Sequence, residues 1–459
     1  MRSQFPRPLR SALILALGAA ALGTGATVVG CSDAVAKARP ASEVASAPAI
    51  TRPPTAVAAT APLAEVVTPQ AVVRPPGIGA LENPAALRRF YEALARLEDG
   101  KAQGDVKVVH FGDSHTAADY ETGAVRRSLQ QKFGDGGRGF VALGQPWKKY
   151  VQDGVRTGMT KEWQPERGKL VAGKVVGDGC YGLGGVCLLT QKKGARAWTE
   201  VSAQASKVEV AYLEQPEGGS FDLFIDGSRT MRLSTKGQAV SSAFKSVDVQ
   251  EGPHNVEVRT VGDGDVRVFG VSLDRTQAGV VYDALGINGA RASIALSWNE
   301  QHMAEQLKHR APDLVVLAYG TNESGDETTA QTYERQIVDV LGRISRAVPN
   351  SACLLLGPPD RAVETKDGWM TSPKLVEVMA VQRRVAEAAG CAYYSQFDAM
   401  GGDGTIASWA LEDPPRAGKD RVHLSKDGYT QLGTTFASDL LRGYASYRAE
   451  RGKPAVANR

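Results

Sequence analysis

The sequence predicts an α/β fold, a parallel sheet covered by helices on both faces, interrupted by an inserted antiparallel β-sandwich. Two observations carry this. In residues 81–150 and 278–446, short apolar runs alternate with amphipathic helical stretches, the pattern of parallel strands buried on both sides. In residues 151–277 that rhythm stops, and short alternating runs recur between Gly- and Pro-rich turns.

Asn83-Pro84 reads as the N-cap and first residue of a helix to about Leu97, with Leu87, Phe90, Tyr91 and Leu94 on one face. Val106–Phe111 reads as a strand, followed by the turn Gly112-Asp113-Ser114 and a helix near Tyr120–Phe133. In the insert, Lys207–Tyr212, Ser220–Ile225, Arg229–Leu233, Phe244–Val249, Asn255–Thr260 and Val266–Leu273 read as strands. Asp226-Gly227 is a hairpin-type turn, and Gly252-Pro253 and Gly262-Asp263-Gly264 punctuate the others. Beyond the insert, Trp298–Arg310 is helix, Asp313–Tyr319 strand, Thr329–Val348 helix and Ala352–Gly357 strand. Pro373–Ala389 helix, Cys391–Ser395 strand and Ser425–Leu441 helix complete the series.

The ends of the chain read differently. Arg2 to Arg10 and the apolar run Ser11–Val29 make residues 1–30 a signal peptide. Val28-Val29-Gly30-Cys31 resembles a bacterial lipobox, so Cys31 is expected to carry a lipid anchor, the only link to a membrane. Residues 31–80, rich in Ala and Pro, read as a disordered tether, and residues 447–459 as a disordered tail. An exported lipoprotein of the bacterial cell envelope, facing the periplasm or on the outer membrane, is the expected location.

At 42% hydrophobic and 23% charged, the 459 residues can build a substantial core. Arg2, Arg7 and Arg10 lie in the leader with no acid beside them; without them the net charge falls from +4 to +1. So neutral a chain has no electrostatic footprint for nucleic acid. A monomer is expected. Of the four remaining cysteines, Cys180 and Cys187 are close enough in sequence to close a small loop, and Cys353 and Cys391 open strand-like runs that could be neighbours. Buried free thiols are the alternative for the second pair. No C-x-x-C or H-E-x-x-H occurs, so neither metal nor organic cofactor is expected.

Four polar blocks carry the chemistry. Ser114 follows a strand end, where a parallel sheet presents ligand-facing groups. A serine hydroxyl is a weak nucleophile until a base takes its proton. Asp420-Arg421-Val422-His423 supplies that base, His423, with Asp420 three residues away to hold its other ring nitrogen. The competing reading is an N-cap network for the last helix. Backbone N–H groups of Ser114 and Gly289 and the Asn322 side-chain amide are the oxyanion-donor candidates, set in Gly286-Ile287-Asn288-Gly289 and Gly320-Thr321-Asn322-Glu323. Tight turns alone would also explain these glycines and the asparagine.

The other five histidines are weaker bases. His115 should point away from the Ser114 hydroxyl, His110 should pack in the core, His254 should sit in an insert turn, and His302 and His309 should form a helix face. Trp147, Tyr150 and Trp369 are sugar-stacking candidates, with burial as core aromatics favoured for each. The G-x-S-x-G elbow is absent, because Thr116 stands where its last glycine belongs.

With these blocks assembled, the chain resembles the SGNH (GDSL-type) hydrolases over roughly residues 80–150 and 280–445. Phe111-Gly112-Asp113-Ser114 matches the first block, although His115 stands where the name-giving motif has leucine. The resemblance implies a three-layer, flavodoxin-like fold. It also implies a catalytic Ser114–His423–Asp420 triad, and an oxyanion hole from Ser114, Gly289 and Asn322. Gly112-Asp113-Ser114-His115-Thr116, the Phe133–Gly137 loop and the β-rich insert are most similar to bacterial peptidoglycan O-acetylesterases, whose insert resembles a carbohydrate-binding module. That implies a serine esterase acting on an O-acetylated polysaccharide. An O-acetyltransferase, or a non-catalytic polysaccharide-binding protein on an esterase fold, are the alternatives.

Overall fold

The computed structural model describes residues 79–171 and 173–451; the expected leader, most of the tether and Cys31 lie outside them. The main sheet has six strands, in the order Leu81–Glu82, Ala392–Ser395, Ala352–Gly357, Leu314–Ala318, Val106–Gly112 and Val280–Gly286. All pairs are parallel except the first, where the short edge strand runs antiparallel. Period-two alternation sorts the buried side chains into two layers. Val109, Phe111, Val315 and Leu317 pack toward helices Glu300–Arg310, Ala330–Ala347 and Pro373–Ala389. Val106, Val108, Val316 and Tyr282 pack toward Arg88–Glu98, Tyr120–Phe133 and Lys426–Arg451. The result is the expected three-layer α/β architecture.

Register sets where the loops emerge. Gly112 lies opposite Gly286 on one side and Ala318 on the other, so three central strands end at one level. A slip of one residue would exchange the faces of an entire strand, and burial on both faces forbids it.

The insert is an antiparallel nine-stranded sheet with its own core around Val208, Val210, Phe221, Val256, Val258 and Val268. It begins earlier than position 151: Gly137–Ala142 already pairs with Val266–Asp274. Strands expected to be short are fused. Arg196–Glu214 and Ser241–Thr260 run 19 and 20 residues, and the second passes through Gly252-Pro253 by register shifts instead of turning there. A bulge absorbs the proline that cannot donate to the ladder.

Other expectations need correction. Asn83 stands at the N-cap position before Pro84, but the first turn Pro84–Leu87 is a 3-10 helix and the Asn83 side chain makes no cap bond; its φ is 51° and its amide donates to Cys391 O at 3.1 Å. The last helix continues to Arg451, into the stretch expected to be a tail, because Tyr444 and Tyr447 pack on Tyr91. Cys180 and Cys187 are buried free thiols, whereas Cys353 and Cys391 form a disulfide with Cα atoms 5.0 Å apart. Neighbouring parallel strands, not closeness in sequence, decide that pairing.

Buried ion pairs lock insert to sheet. Asp119, with no exposed side-chain surface, accepts from Arg126 and from Arg138 of the first insert strand at 2.8–3.0 Å. On the far side Asp283 accepts from Arg310 at 2.7 and 2.8 Å and from the Phe140 N–H at 2.7 Å. His302 and His309 face the insert as a helix face should: His302 Nε2 lies 2.6 Å from Tyr181 O, and the His309 ring stacks on Phe244.

Candidate active site

The strand Val106–Gly112 closes at Gly112, where a Cβ would lie 2.1 Å from Thr116 Oγ1; only glycine lets the chain fold back so tightly. Asp113 caps the single helical turn Ser114–Ala117 by accepting from the His115 N–H at 2.9 Å. That turn presents Ser114, whose Oγ is 2.9 Å from His423 Nε2. His423 Nδ1 is 2.8 Å from Asp420 Oδ2, and Asp420 Oδ1 accepts from the Val422 and His423 N–H groups at 3.1 Å. The i, i+3 loop therefore fixes carboxylate and ring together, with Arg421 between them at φ 50°. A proton on Nδ1, held by the carboxylate, leaves Nε2 as acceptor for the serine hydroxyl. Burial raises the Asp420 pKa, but the His423 side chain and the two backbone N–H bonds outweigh it and hold the carboxyl below its usual value. His423 and Asp420 are about half exposed, at 48% and 52% of their side-chain surface, so the relay opens onto solvent.

Two further loops converge on the same level. Gly286 must be glycine, because a Cβ there would lie 2.2 Å from Ala117 N. The Ile287 N–H donates to Gly112 O at 3.0 Å, and Gly289 follows at φ 75°. The Asn322 amide donates to Ala290 O at 2.9 Å and to Asp113 Oδ2 at 3.3 Å, tying both oxyanion-candidate loops to the nucleophile turn. Glu323, beneath them, accepts from the Ala292 and Gly320 N–H groups at 2.8 and 3.0 Å.

Two rings pack on the Asp420–His423 loop, and the second differs from expectation. The His115 ring makes no bond to the Ser114 hydroxyl among the described residues; it packs on His423 with centroids 5.5 Å apart, and its Nδ1 lies 3.0 Å from Tyr429 OH. Burial, reinforced by the nearby His423, pushes its pKa down to about 3, so it backs the base as a neutral ring. Its place where the family motif has leucine was the available signal. Trp369 is not a core aromatic; it is 38% exposed on the hairpin Ala362–Thr365/Gly368–Thr371, with the Arg421 guanidinium 4.3 Å from its ring centre. Tyr150 is buried as expected, and Trp147 packs edge-on against it. His110, in the core strand, bonds Tyr282 OH at 2.8 Å, and His254 pairs with Asp226 within an insert strand.

Three buried acids surround the nucleophile turn. Burial pushes Asp113 and Glu121 up to about 8 and Glu323 up to about 7. Each keeps its proton in the folded protein at pH values where the unfolded chain has lost it, so stability falls as pH rises from about 4 to about 8. His110 and His115, both pushed by burial to about 3, act oppositely: their contribution is lost as pH falls below about 6.5. Above pH 6.5 only the acids operate. The melting midpoint is therefore expected to fall between pH 6.5 and 8.5, and to fall less in Glu121→Gln, measured by circular dichroism. A midpoint that rises over this window would refute the arrangement.

Residues 254–431 match the profile of the GDSL-like lipase/acylhydrolase family. The match holds Gly289, Asn322, Asp420 and His423, whereas Ser114 lies on the other side of the insert. Among solved structures, a peptidoglycan O-acetylesterase is 25% identical, with 78% of this chain and 96% of that one covered and a TM-score of 0.64. A family two carbohydrate esterase from Clostridium thermocellum is 10% identical over 56% of this chain and 96% of its own, with a TM-score of 0.28. That value is too low to bear on the argument. No curated protein matches. Over residues 254–431 the chain is similar to the GDSL-like lipase/acylhydrolase family, and over most of its length to a peptidoglycan O-acetylesterase.

Proposed function

We propose that the protein is a serine esterase that removes O-acetyl groups from a cell-envelope polysaccharide, with peptidoglycan as the polymer. The observation that carries the reading is the solvent-open relay, Ser114 Oγ to His423 Nε2 at 2.9 Å and His423 Nδ1 to Asp420 at 2.8 Å. Ser114 attacks the acetyl carbonyl while His423 takes its proton. The developing oxyanion is held by the Ser114 and Gly289 N–H groups and by Asn322, whose amide gives up its 3.3 Å bond to Asp113 to donate there. His423 then protonates the departing sugar alkoxide, and a water activated by the same ring releases acetate. A half-exposed base favours water over a second sugar as acyl acceptor, and so hydrolysis over transfer. The likeness to a peptidoglycan O-acetylesterase over most of both chains supports the polymer. Export and anchoring through Cys31 would put the enzyme beside it.

The test is acetate release from O-acetylated peptidoglycan beside turnover of 4-nitrophenyl acetate. Release from both is expected. Turnover of the small ester alone would keep the esterase and remove the polymer; turnover of neither would remove both.

A further inference from the structure

The loop that carries Gly289 has a neighbour from the insert. Strand Gln164–Arg167 and the residues after it lie beside this loop, and between them is a cleft of about 280 Å³. Asn288 and Gly289 line one side; Arg167, Lys169 and Arg291 also line it, and no acidic side chain does. Arg291 is paired with Asp326, but Arg167 and Lys169 are exposed and make no ion pair among the described residues.

The approach is built by glycines. A Cβ on Gly168 would lie 2.6 Å from Trp298 Nε1 and 2.7 Å from Ser297 Oγ, and one on Gly185 would lie 2.3 Å from the Trp298 ring. The Gly168 N–H donates to Gly185 O at 3.0 Å. This segment is thus seated on Trp298, with one cation on either side of Gly168. Arg167 and Lys169 share the cleft with no ion-pair partner among the described residues, and the cleft walls focus their field on whatever enters.

We infer that this cleft binds a carboxylate carried by the glycan whose ester is cleaved, an inference that rests on the glycan-esterase reading above. A guanidinium fork and an ammonium suit a carboxylate, and the remaining volume suits the short carbon skeleton that bears it. Placed beside Gly289, the cleft would orient the sugar and bring its acetyl group to Ser114. In peptidoglycan the carboxylate has two sources, the stem peptide or, once the peptide is removed, the lactyl group.

The test reads inhibition of 4-nitrophenyl acetate turnover by N-acetylmuramic acid, which carries a free lactyl carboxylate, and by neutral N-acetylglucosamine. N-acetylmuramic acid is expected to inhibit more strongly. Arg167→Gln/Lys169→Gln should weaken that inhibition by about five- to tenfold, as for two partly solvated charge contacts. Arg167→Lys/Lys169→Arg should restore most of it, and about 0.5 M salt should erase the difference. Equal inhibition of the unmutated protein by both sugars would overturn the inference, as would equal weakening for both in the double variant.

On polymer, the same variant should lower acetate release from peptidoglycan relative to small-ester turnover. A larger effect on intact than on amidase-stripped polymer assigns the cleft to stem-peptide carboxylates, and the reverse assigns it to the lactyl group. If peptidoglycan yields no acetate while the carboxylate-selective inhibition persists, the polymer reading fails and the cleft stands.

Discussion

Replacing Ser114 by alanine is expected to lower turnover of a small acetate ester by about 10⁴- to 10⁶-fold, the range for loss of a nucleophile that acts as one unit with its base. The side chain removed is the one 2.9 Å from His423 Nε2, and no other hydroxyl is bonded to that nitrogen among the described residues. Because Ser114 and His423 act in the same step, Ser114→Ala/His423→Ala should be no slower than either single variant. Asp420→Asn should cost less. Asparagine can still hold the ring, but it no longer stabilises the imidazolium and can select the wrong tautomer. Steady-state kinetics on Ser114→Ala, His423→Ala, the double variant and Asp420→Asn, each with an unchanged melting curve, is the measurement. A Ser114→Ala protein that keeps more than about a hundredth of the activity would show that another group attacks the ester.

Asp119→Asn should produce the largest loss of stability from one atom pair. Asp119 is fully buried, and its partners Arg126 and Arg138 expose only 7% and 2% of their side chains. Desolvation alone would raise its pKa, but the two guanidinium groups and the Thr122 hydroxyl outweigh that and keep it ionised. Neutralising it leaves two buried cations without their counter-charge, at a cost of about 3–5 kcal/mol. For a domain of this size that lowers the melting midpoint by roughly 5–10 °C. Asparagine tolerates the left-handed backbone found here, φ 59°, so strain does not confound the result. Glu92→Gln, which breaks the exposed pair with Arg88, is the control and should shift the midpoint by no more than about 1 °C. Equal shifts in the two variants would mean that the buried cluster contributes nothing special.

Much of this molecule is legible in local sequence. An apolar run such as Val106–Phe111 or Leu314–Ala318 suits only a buried strand, and a Gly-Asp-Ser turn must follow where the sheet ends. Asp420 and His423 are three residues apart, so their contact needs only a loop conformation. The strand Gly137–Ala142 was not legible, since its partner lies some 130 residues away. Nor was the hairpin carrying Trp369, whose exposure depends on what packs beneath it. The cysteines divide in the same way: the strand-opening positions of Cys353 and Cys391 offer the pairing that the sheet makes, whereas nearness along the chain offers Cys180 with Cys187, which stay buried free thiols.

Hydrophobic patterning along the chain set the fold class and the order of most of its elements. Local sequence also determined the four polar blocks, because hydrophobic period, turn chemistry and i, i+3 spacing act over a few residues. Tertiary packing alone set the distance between Ser114 and His423, put His115 behind the base, and brought Arg167 and Lys169 of the insert to the cleft lined by Gly289. Those relations follow from strand register and from burial summed over hundreds of residues, and no short window of sequence contains them.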